Sequence, residues 1–307
     1  MNQLATSPTS ATPREGLFYA LAAYGLWGVV PLYFNALVEQ TGRRISADEL
    51  LAQRIVWSLP FLMVLLTLTG RWPTFVGCFR ARSLLLTLMG STVLIGVNWY
   101  VYIYGITTEQ VLQTSLGYFI NPLVNVLLGM VFFRERLRLL QWVALALATI
   151  GVINNTIAAG ELQWIALSLA VCFGTYGLLR KKAPVDGLVG LSVETLFLVP
   201  LAGGYLLWLG SEGALGSYGA ASDALLLCSG VVTALPLMCF GQAARRMRLS
   251  TLGFLQYLSP SLQFVCAVLV IREPFTSAQL LGFVWIWTGL AVFTVDSVLA
   301  RDSTSGG

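Results

Sequence analysis

The chain contains no histidine. That removes histidine triads, histidine-ligated zinc or haem, and histidine proton relays. Its two lysines are adjacent, Lys181 and Lys182, and no glycine-rich phosphate loop precedes them, so the chain carries no ATP-driven motor. The five cysteines (Cys78, Cys172, Cys228, Cys239 and Cys266) are odd in number, widely spaced and without a CxxC pair. They indicate neither a disulfide framework nor a metal site and read as small apolar side chains. Charge is scarce as well. Charged residues make up 10% of the 307, where a soluble domain carries about 25%.

What fills the chain is apolar: 57% hydrophobic residues, with a mean hydropathy of +0.78. A globule of this composition cannot cover itself with polar surface, so its solvent is the lipid bilayer. A soluble enzyme, a soluble nucleic-acid binder and a disordered protein are excluded. The net charge of +4 is not a nucleic-acid signal, because the 18 basic residues sit in short loops between apolar runs. A helix needs about 20 apolar residues to cross the hydrocarbon core. Ten candidates appear, roughly Gly16–Val38, Ala47–Thr69, Leu84–Thr107, Leu112–Phe133, Leu139–Ile157, Leu162–Leu179, Leu188–Leu209, Ala224–Ala244, Thr251–Ile271 and Ala278–Leu299. Residues 1–15, polar and rich in Ser, Thr and Pro, read as a disordered cytoplasmic tail, and 300–307 as a C-terminal tail. The first apolar run is too long for a signal-peptide core and reads as an uncleaved span.

Loop charges set the orientation. With a cytoplasmic N-terminus, the inner loops and tails hold 14 Lys and Arg, and the outer loops hold three, Arg43, Arg44 and Arg272. Arg54 lies within the second span. The asymmetry predicts cytoplasmic N- and C-termini and an even number of spans. The halves also resemble each other. Pro122 is followed after twelve residues by Arg134–Glu135, and Pro260 after twelve by Arg272–Glu273. The same offset of 138 carries Gln141 to Gln279 and Gly151 to Gly289. Arg54 precedes Pro60 by six, as Glu194 precedes Pro200. Gly25-Leu26-Trp27-Gly28 is matched by Gly174-Thr175-Tyr176-Gly177. A five-span unit used twice, 16–157 and 158–299, must insert its second copy upside down because five is odd. Such inverted repeats are the architecture of alternating-access transporters, although gene duplication in a static scaffold would leave the same trace.

Prolines inside spans (Pro31, Pro60, Pro122, Pro200, Pro236 and Pro260) each delete a backbone hydrogen bond. Of these, Pro60, Pro122, Pro200 and Pro260 recur in pairs and are the kink or hinge candidates. Ser46-x-x-Glu49 reads as a capping box, which puts Arg54 about 12 Å into its helix. Arg54 and Glu194 are costly at such depth and face a cavity or a partner. Arg54 fits a substrate carboxylate or phosphate; Glu194 fits a coupling proton. Snorkelling and a structural network are the alternatives. Tyr118, Asn121 and Asn125 share one helix face. Together with Asn98, Trp99, Gln256, Tyr257 and Gln263 they would line a polar pocket among the third, fourth, eighth and ninth spans, or else join helices by hydrogen bonds.

Four runs carry a resemblance: Ser115-Leu116-Gly117-Tyr118-Phe119-Ile120-Asn121-Pro122-Leu123, Gly96-Val97-Asn98-Trp99, Arg54-Ile55-Val56-Trp57-Ser58 and Arg248-Leu249-Ser250-Thr251-Leu252-Gly253-Phe254. The chain resembles the RarD family of bacterial inner-membrane proteins, within the EamA-type drug/metabolite transporter superfamily, from about Gly16 to Asp296. The resemblance implies an all-α polytopic membrane protein with ten transmembrane helices in two inverted five-helix EamA-type repeats. It implies secondary transport, often outward, of a small metabolite or drug-like solute. Members are commonly named chloramphenicol-sensitive proteins, a name that establishes no substrate. The expectation is therefore a non-enzymatic exporter of a small polar or amphipathic solute, without cofactor, metal or nucleic acid. It would sit in the inner membrane as a monomer or homodimer. A sensory or scaffolding membrane protein is the alternative.

Overall fold

The computed structural model describes residues 13–41, 46–107, 111–159, 164–210, 216–266, 269 and 277–305. Arg43, Arg44, Arg272, Glu273 and residues 1–12 of the N-terminal tail lie outside these, as does the Gln279 side chain. The described residues form twelve α-helices and no strand. They are α1 Pro13–Thr41, α2 Ala47–Leu68, α3 Trp72–Arg80, α4 Arg82–Thr107, α5 Val111–Phe133 and α6 Leu139–Ala159, followed by α7 Trp164–Lys182, α8 Gly187–Leu209, α9 Ala220–Arg246, α10 Leu249–Gln256, α11 Leu258–Cys266 and α12 Ser277–Ser305. Segments Asp48–Leu68, Arg82–Tyr102, Gly187–Leu209 and Ala220–Arg246 are long and apolar enough to cross a bilayer. Shorter apolar helices cover Gly117–Phe133, Leu139–Asn154 and Leu280–Asp296. Large apolar side chains face outward, among them Leu207 at 85% and Trp208 at 77% exposure. A soluble monomer does not present such a surface; this is an integral membrane protein.

Two elements differ from the sequence expectation. α3 is a short amphipathic helix between the second and third apolar runs. Pro73 sits in its first turn, where the missing N–H costs nothing, and it buries Phe75 and Cys78. Nine residues rise only about 14 Å, so it cannot span. The ninth apolar run is divided into α10 and α11. Pro260 cannot donate to the Gln256 carbonyl. The chain breaks there, Tyr257 N–H falling back on Phe254 O at 3.3 Å and Ser261 N–H resuming on Tyr257 O at 3.2 Å. α2, α5, α8 and α9 each run through their prolines without a break.

Helix ends are chemically marked. Ser46 caps α2 by accepting from Glu49 N–H at 3.2 Å, and Asp186 caps α8 by accepting from Val189 N–H at 3.0 Å. α5 ends where Arg134 takes the left-handed conformation, φ 51°, and Glu135 N–H reaches back to Gly129 O at 3.2 Å. In the bundle α1 packs on α9 and α11, α2 on α8 and α9, α4 on α7 and α8, α5 on α7 and α10, and α6 on α12. An aromatic cluster joins α1, α7 and α9: Phe173 and Phe240 at 5.0 Å, Trp27 and Phe173 at 5.6 Å, and Tyr176 stacked on Phe240 at 5.9 Å.

Candidate functional site

Two polar stations are built into the apolar bundle. The first centres on Glu194, which is 0% exposed and eight residues beyond the Asp186 cap, about 12 Å along α8. Its carboxylate accepts from Ser91 of α4 at 2.5 Å and from Tyr176 of α7 at 3.2 Å. Arg180 of α7, 1% exposed, lies 3.7 Å away. The guanidinium fits because residue 190 is glycine: a Cβ there would lie 1.7 Å from Arg180 Nη1. Gly241 of α9 supports the other side, where a Cβ would stand 3.1 Å from Nη2. Nη2 donates to Asp186 O at 3.1 Å, and Asp186 pairs through its carboxylate with Arg71. Nε and Nη1 of Arg180 make no hydrogen bond among the described residues. A buried guanidinium with two such nitrogens depends on its counterion, because an uncompensated buried charge costs several kcal/mol.

The second station centres on Arg54, half-buried and eight residues beyond the Ser46 cap. Its Nε donates to Thr233 of α9 at 2.7 Å. The phenols of Tyr33, Tyr102 and Tyr118, from α1, α4 and α5, lie within its electrostatic reach. The Tyr102 and Tyr118 rings meet edge to face at 5.9 Å, and Tyr33 donates to Leu225 O at 2.6 Å. Thr233 also lines a crevice between α2, α4, α8 and α9, walled by Ile55, Ser58, Trp99, Leu191, Thr195 and Leu198, which is too narrow for a water molecule.

The other predicted pocket residues occupy several helix–helix seams. Asn98 donates to Leu169 O at 3.0 Å and ties α4 to α7. Asn125 donates to Gln256 at 2.8 Å, and Tyr257 to Phe119 O at 3.2 Å, joining α5 to the α10–α11 break. Gln263 donates to Trp27 O at 3.0 Å, joining α11 to α1. Trp99 packs at the crevice, and Tyr118 belongs with Arg54. Asn121 is buried on α5, and the Oδ1 atoms of Asn121 and Asn125 have no partner among the described residues. Pro122 and Pro260 are buried; Pro60 and Pro200 are exposed.

Sequence reasoning missed Arg180, which it placed in a basic loop, and Ser91, Tyr33, Tyr102 and Thr233, which single positions do not distinguish from packing residues. It also missed what Glu135 does. Glu135 accepts from Leu249 N–H at 2.8 Å, Ser250 N–H at 2.9 Å and the Ser250 hydroxyl at 2.5 Å, with Arg248 at 3.7 Å. A carboxylate from one half thus caps the first turn of α10 in the other, where the helix dipole favours negative charge. At the same end Arg138 pairs with Asp296 of α12.

Similarity to known proteins agrees with a membrane-embedded carrier. Residues 14–157 match the EamA-like transporter family. An "Uncharacterized transporter" of Vibrio cholerae is 46% identical over 298 residues, 96% of each chain. "Protein RarD" of Escherichia coli K12 is 40% identical over 294 residues, 95% of this chain and 98% of the other. "Chloramphenicol-sensitive protein RarD" of Pseudomonas aeruginosa is 32% identical over 287 residues, 92% and 94%. A solved crystal structure superposes with a TM-score of 0.67 over 93% of this chain and 98% of that one; at 16% identity it speaks for the fold alone. With several relatives above 40% identity over nearly its whole length, the chain belongs to the RarD family of the EamA-type drug/metabolite transporters.

Proposed function

We propose that this membrane transporter works by alternating access, exporting a small polar or amphipathic solute through ten spans arranged as two inverted five-helix repeats. α1, α2, α4, α5 and α6 form the first repeat and α7, α8, α9, α10–α11 and α12 the second, with α3 as an interfacial insertion. The N- and C-termini and the arginine-rich loops face the cytoplasm in the inner membrane. No ATP site drives the cycle, so a gradient does. One copy encloses the path, which lets a monomer or a homodimer work.

The observation that carries this reading is reciprocity across the halves. A Cβ on Gly151 would lie 2.7 Å from Gly282 O, and one on Gly289 would lie 2.7 Å from Ala144 O. The offset of 138 exchanges these two contacts. It likewise relates the bonded pair Tyr257 and Phe119. Exchanging the halves maps α1–α9 packing onto α4–α7, α1–α11 onto α5–α7, and α2–α9 onto α4–α8. A Cβ on Gly28 would meet Leu262, and one on Gly174 would meet Val124, its partner under that offset. Those contacts pair Gly28 with Gly174, three residues out of register from the Gly-x-aromatic-Gly match. Arg54 and Glu194 then mark equivalent depths from opposite faces. One equivalent pair of segments differs in conformation: α5 is continuous through Pro122, whereas α10–α11 is broken at Pro260. Two packings of one repeat are what a rocking carrier exchanges.

Proteoliposomes with an imposed pH or solute gradient test the reading. Gradient-dependent flux of a labelled amino acid, nucleoside or phenicol is expected. Absence of flux across such a panel, with correctly oriented folded protein, would count against transport.

A further inference from the structure

Independently of transport, we infer that the cleft between α4 and α7 at the arginine-rich end holds the headgroup and upper chain of an anionic phospholipid. Arg82, Ser83, Leu86, Thr87 and Gly90 recur at helical spacing and share one face of α4. With Leu179 of α7 they line a cleft of about 710 Å³, within the range of small-molecule sites. The two helices close it at one end, where a Cβ on Gly90 would lie 3.4 Å from Leu179 Cδ1. Eight residues, about 12 Å of helix, separate Gly90 from Arg82. Over that distance the lining passes from Gly90, Leu179 and Leu86 to the hydroxyls of Thr87 and Ser83, and then to the Arg82 guanidinium. An acyl chain, a glycerol ester and a phosphate follow one another in the same order.

Depth and charge select the occupant. Arg82 opens the apolar segment Arg82–Tyr102, so it stands where the chain enters the hydrocarbon, at the level of lipid phosphates. Arg80 precedes it by two residues and Lys182 follows Leu179 by three, and all three cations are exposed. None of them pairs with a carboxylate among the described residues. Asp186, the next acid after Lys182, is engaged by Arg71. Choline and ethanolamine headgroups carry a cation beside the phosphate, which these three charges repel; phosphatidylglycerol carries none. Leu86 is 59% and Val93 63% exposed, so the open side of the cleft faces acyl chains and its occupant enters from the bilayer. The α4 wall precedes residue 158 and Leu179 follows it, so one lipid touches both halves.

Native mass spectrometry of the full-length protein in detergent tests this. Dioleoyl phosphatidylglycerol is titrated alongside dioleoyl phosphatidylcholine, with glycerol 3-phosphate as a headgroup anion that lacks chains. The first phosphatidylglycerol is expected to bind about tenfold more tightly than phosphatidylcholine. Glycerol 3-phosphate should not displace it. Arg82→Gln removes the charge and Thr87→Trp fills the cleft; each should weaken that first site about tenfold. Arg136→Gln, at an exposed arginine between α5 and α6, should leave it unchanged. Melting curves check that each variant is folded. If neither cleft variant folds, the headgroup contrast and the glycerol 3-phosphate competition decide alone. The inference is overturned if the two lipids bind alike, or if glycerol 3-phosphate displaces the lipid. It is equally overturned if Arg82→Gln or Thr87→Trp binds undiminished, or if Arg136→Gln weakens binding as much, which would reduce the effect to net charge. Flux is not read, so either result leaves the transport reading to its own test.

Discussion

At the scale of single residues, Arg180 and Glu194 control each other. Neither is exposed, and Arg180 holds two nitrogens without hydrogen bonds among the described residues. The attraction across 3.7 Å therefore offsets much of the desolvation of both. Removing one partner strands the other. Glu194→Gln and Arg180→Gln should each cost about 3–5 kcal/mol of stability. Arg180→Gln combined with Glu194→Gln should cost less than the sum of the two single changes, because no charge is left unpaired. Melting curves in detergent for the four proteins give the coupling. Additive losses would mean that the pair does not interact. Gly190 is the companion requirement, since a methyl group there and the guanidinium cannot occupy the same notch.

At the scale of elements, α6 and α12 pack through glycines against each other's carbonyls. Both contacts lie below the separation real Cβ atoms keep, so Gly151→Ala and Gly289→Ala must push the helices apart. Each should cost about 1–3 kcal/mol, and by similar amounts, because the two contacts have the same geometry and an offset of 138 residues exchanges them. A large loss at one position with none at the other, in the same melting assay, would mean the seam is not symmetric. The apolar runs behind these elements were legible in the sequence, because lipid demands an uninterrupted stretch of about 20 residues and hydropathy reports it. α3 was not: nine residues alternating Phe75 and Cys78 with exposed positions leave no such stretch. Pro260 announced a bend, but only the Gln256 carbonyl's missing donor located the break. The Arg54 and Glu194 stations were half legible. Their charges stood out at depth, and Ser46 pointed to the helix start. Arg180 was hidden beside Lys181 and Lys182, since its burial is made by Gly190 and Gly241, residues distant from it in sequence or on another helix. Tyr33 and Tyr102 gave no signal that separates a site tyrosine from an interfacial one. Asn98, Asn125 and Gln263 were legible as polar residues needing partners, but sequence could not say that backbone carbonyls and Gln256 would supply them.

At the scale of the whole molecule, the ion pairs between the halves among the described residues gather at the arginine-rich end. Glu135 caps α10, Arg138 pairs with Asp296, Arg71 with Asp186, and Glu15 lies 3.7 Å from Arg246. In each, one partner precedes residue 158 and the other follows it. If the halves rock, these contacts must separate when that end opens, so their strength sets how often it does. Charge-assisted hydrogen bonds contribute about 1.5–3 kcal/mol each, and 1.4 kcal/mol shifts a population tenfold. Glu135→Gln weakens the cap of α10 and Asp296→Asn the pair with Arg138. Together they should raise the open fraction at this end by about tenfold or more. Val126 reports it, being buried between α5 and α10 against Gly253. In a chain without its native cysteines, Val126→Cys should react slowly with a bulky, membrane-impermeant thiol reagent applied to the arginine-rich face. The added pair of substitutions should speed that reaction about tenfold. An unchanged rate, with the fold intact by melting, would show that these contacts hold the halves together without governing which end admits water.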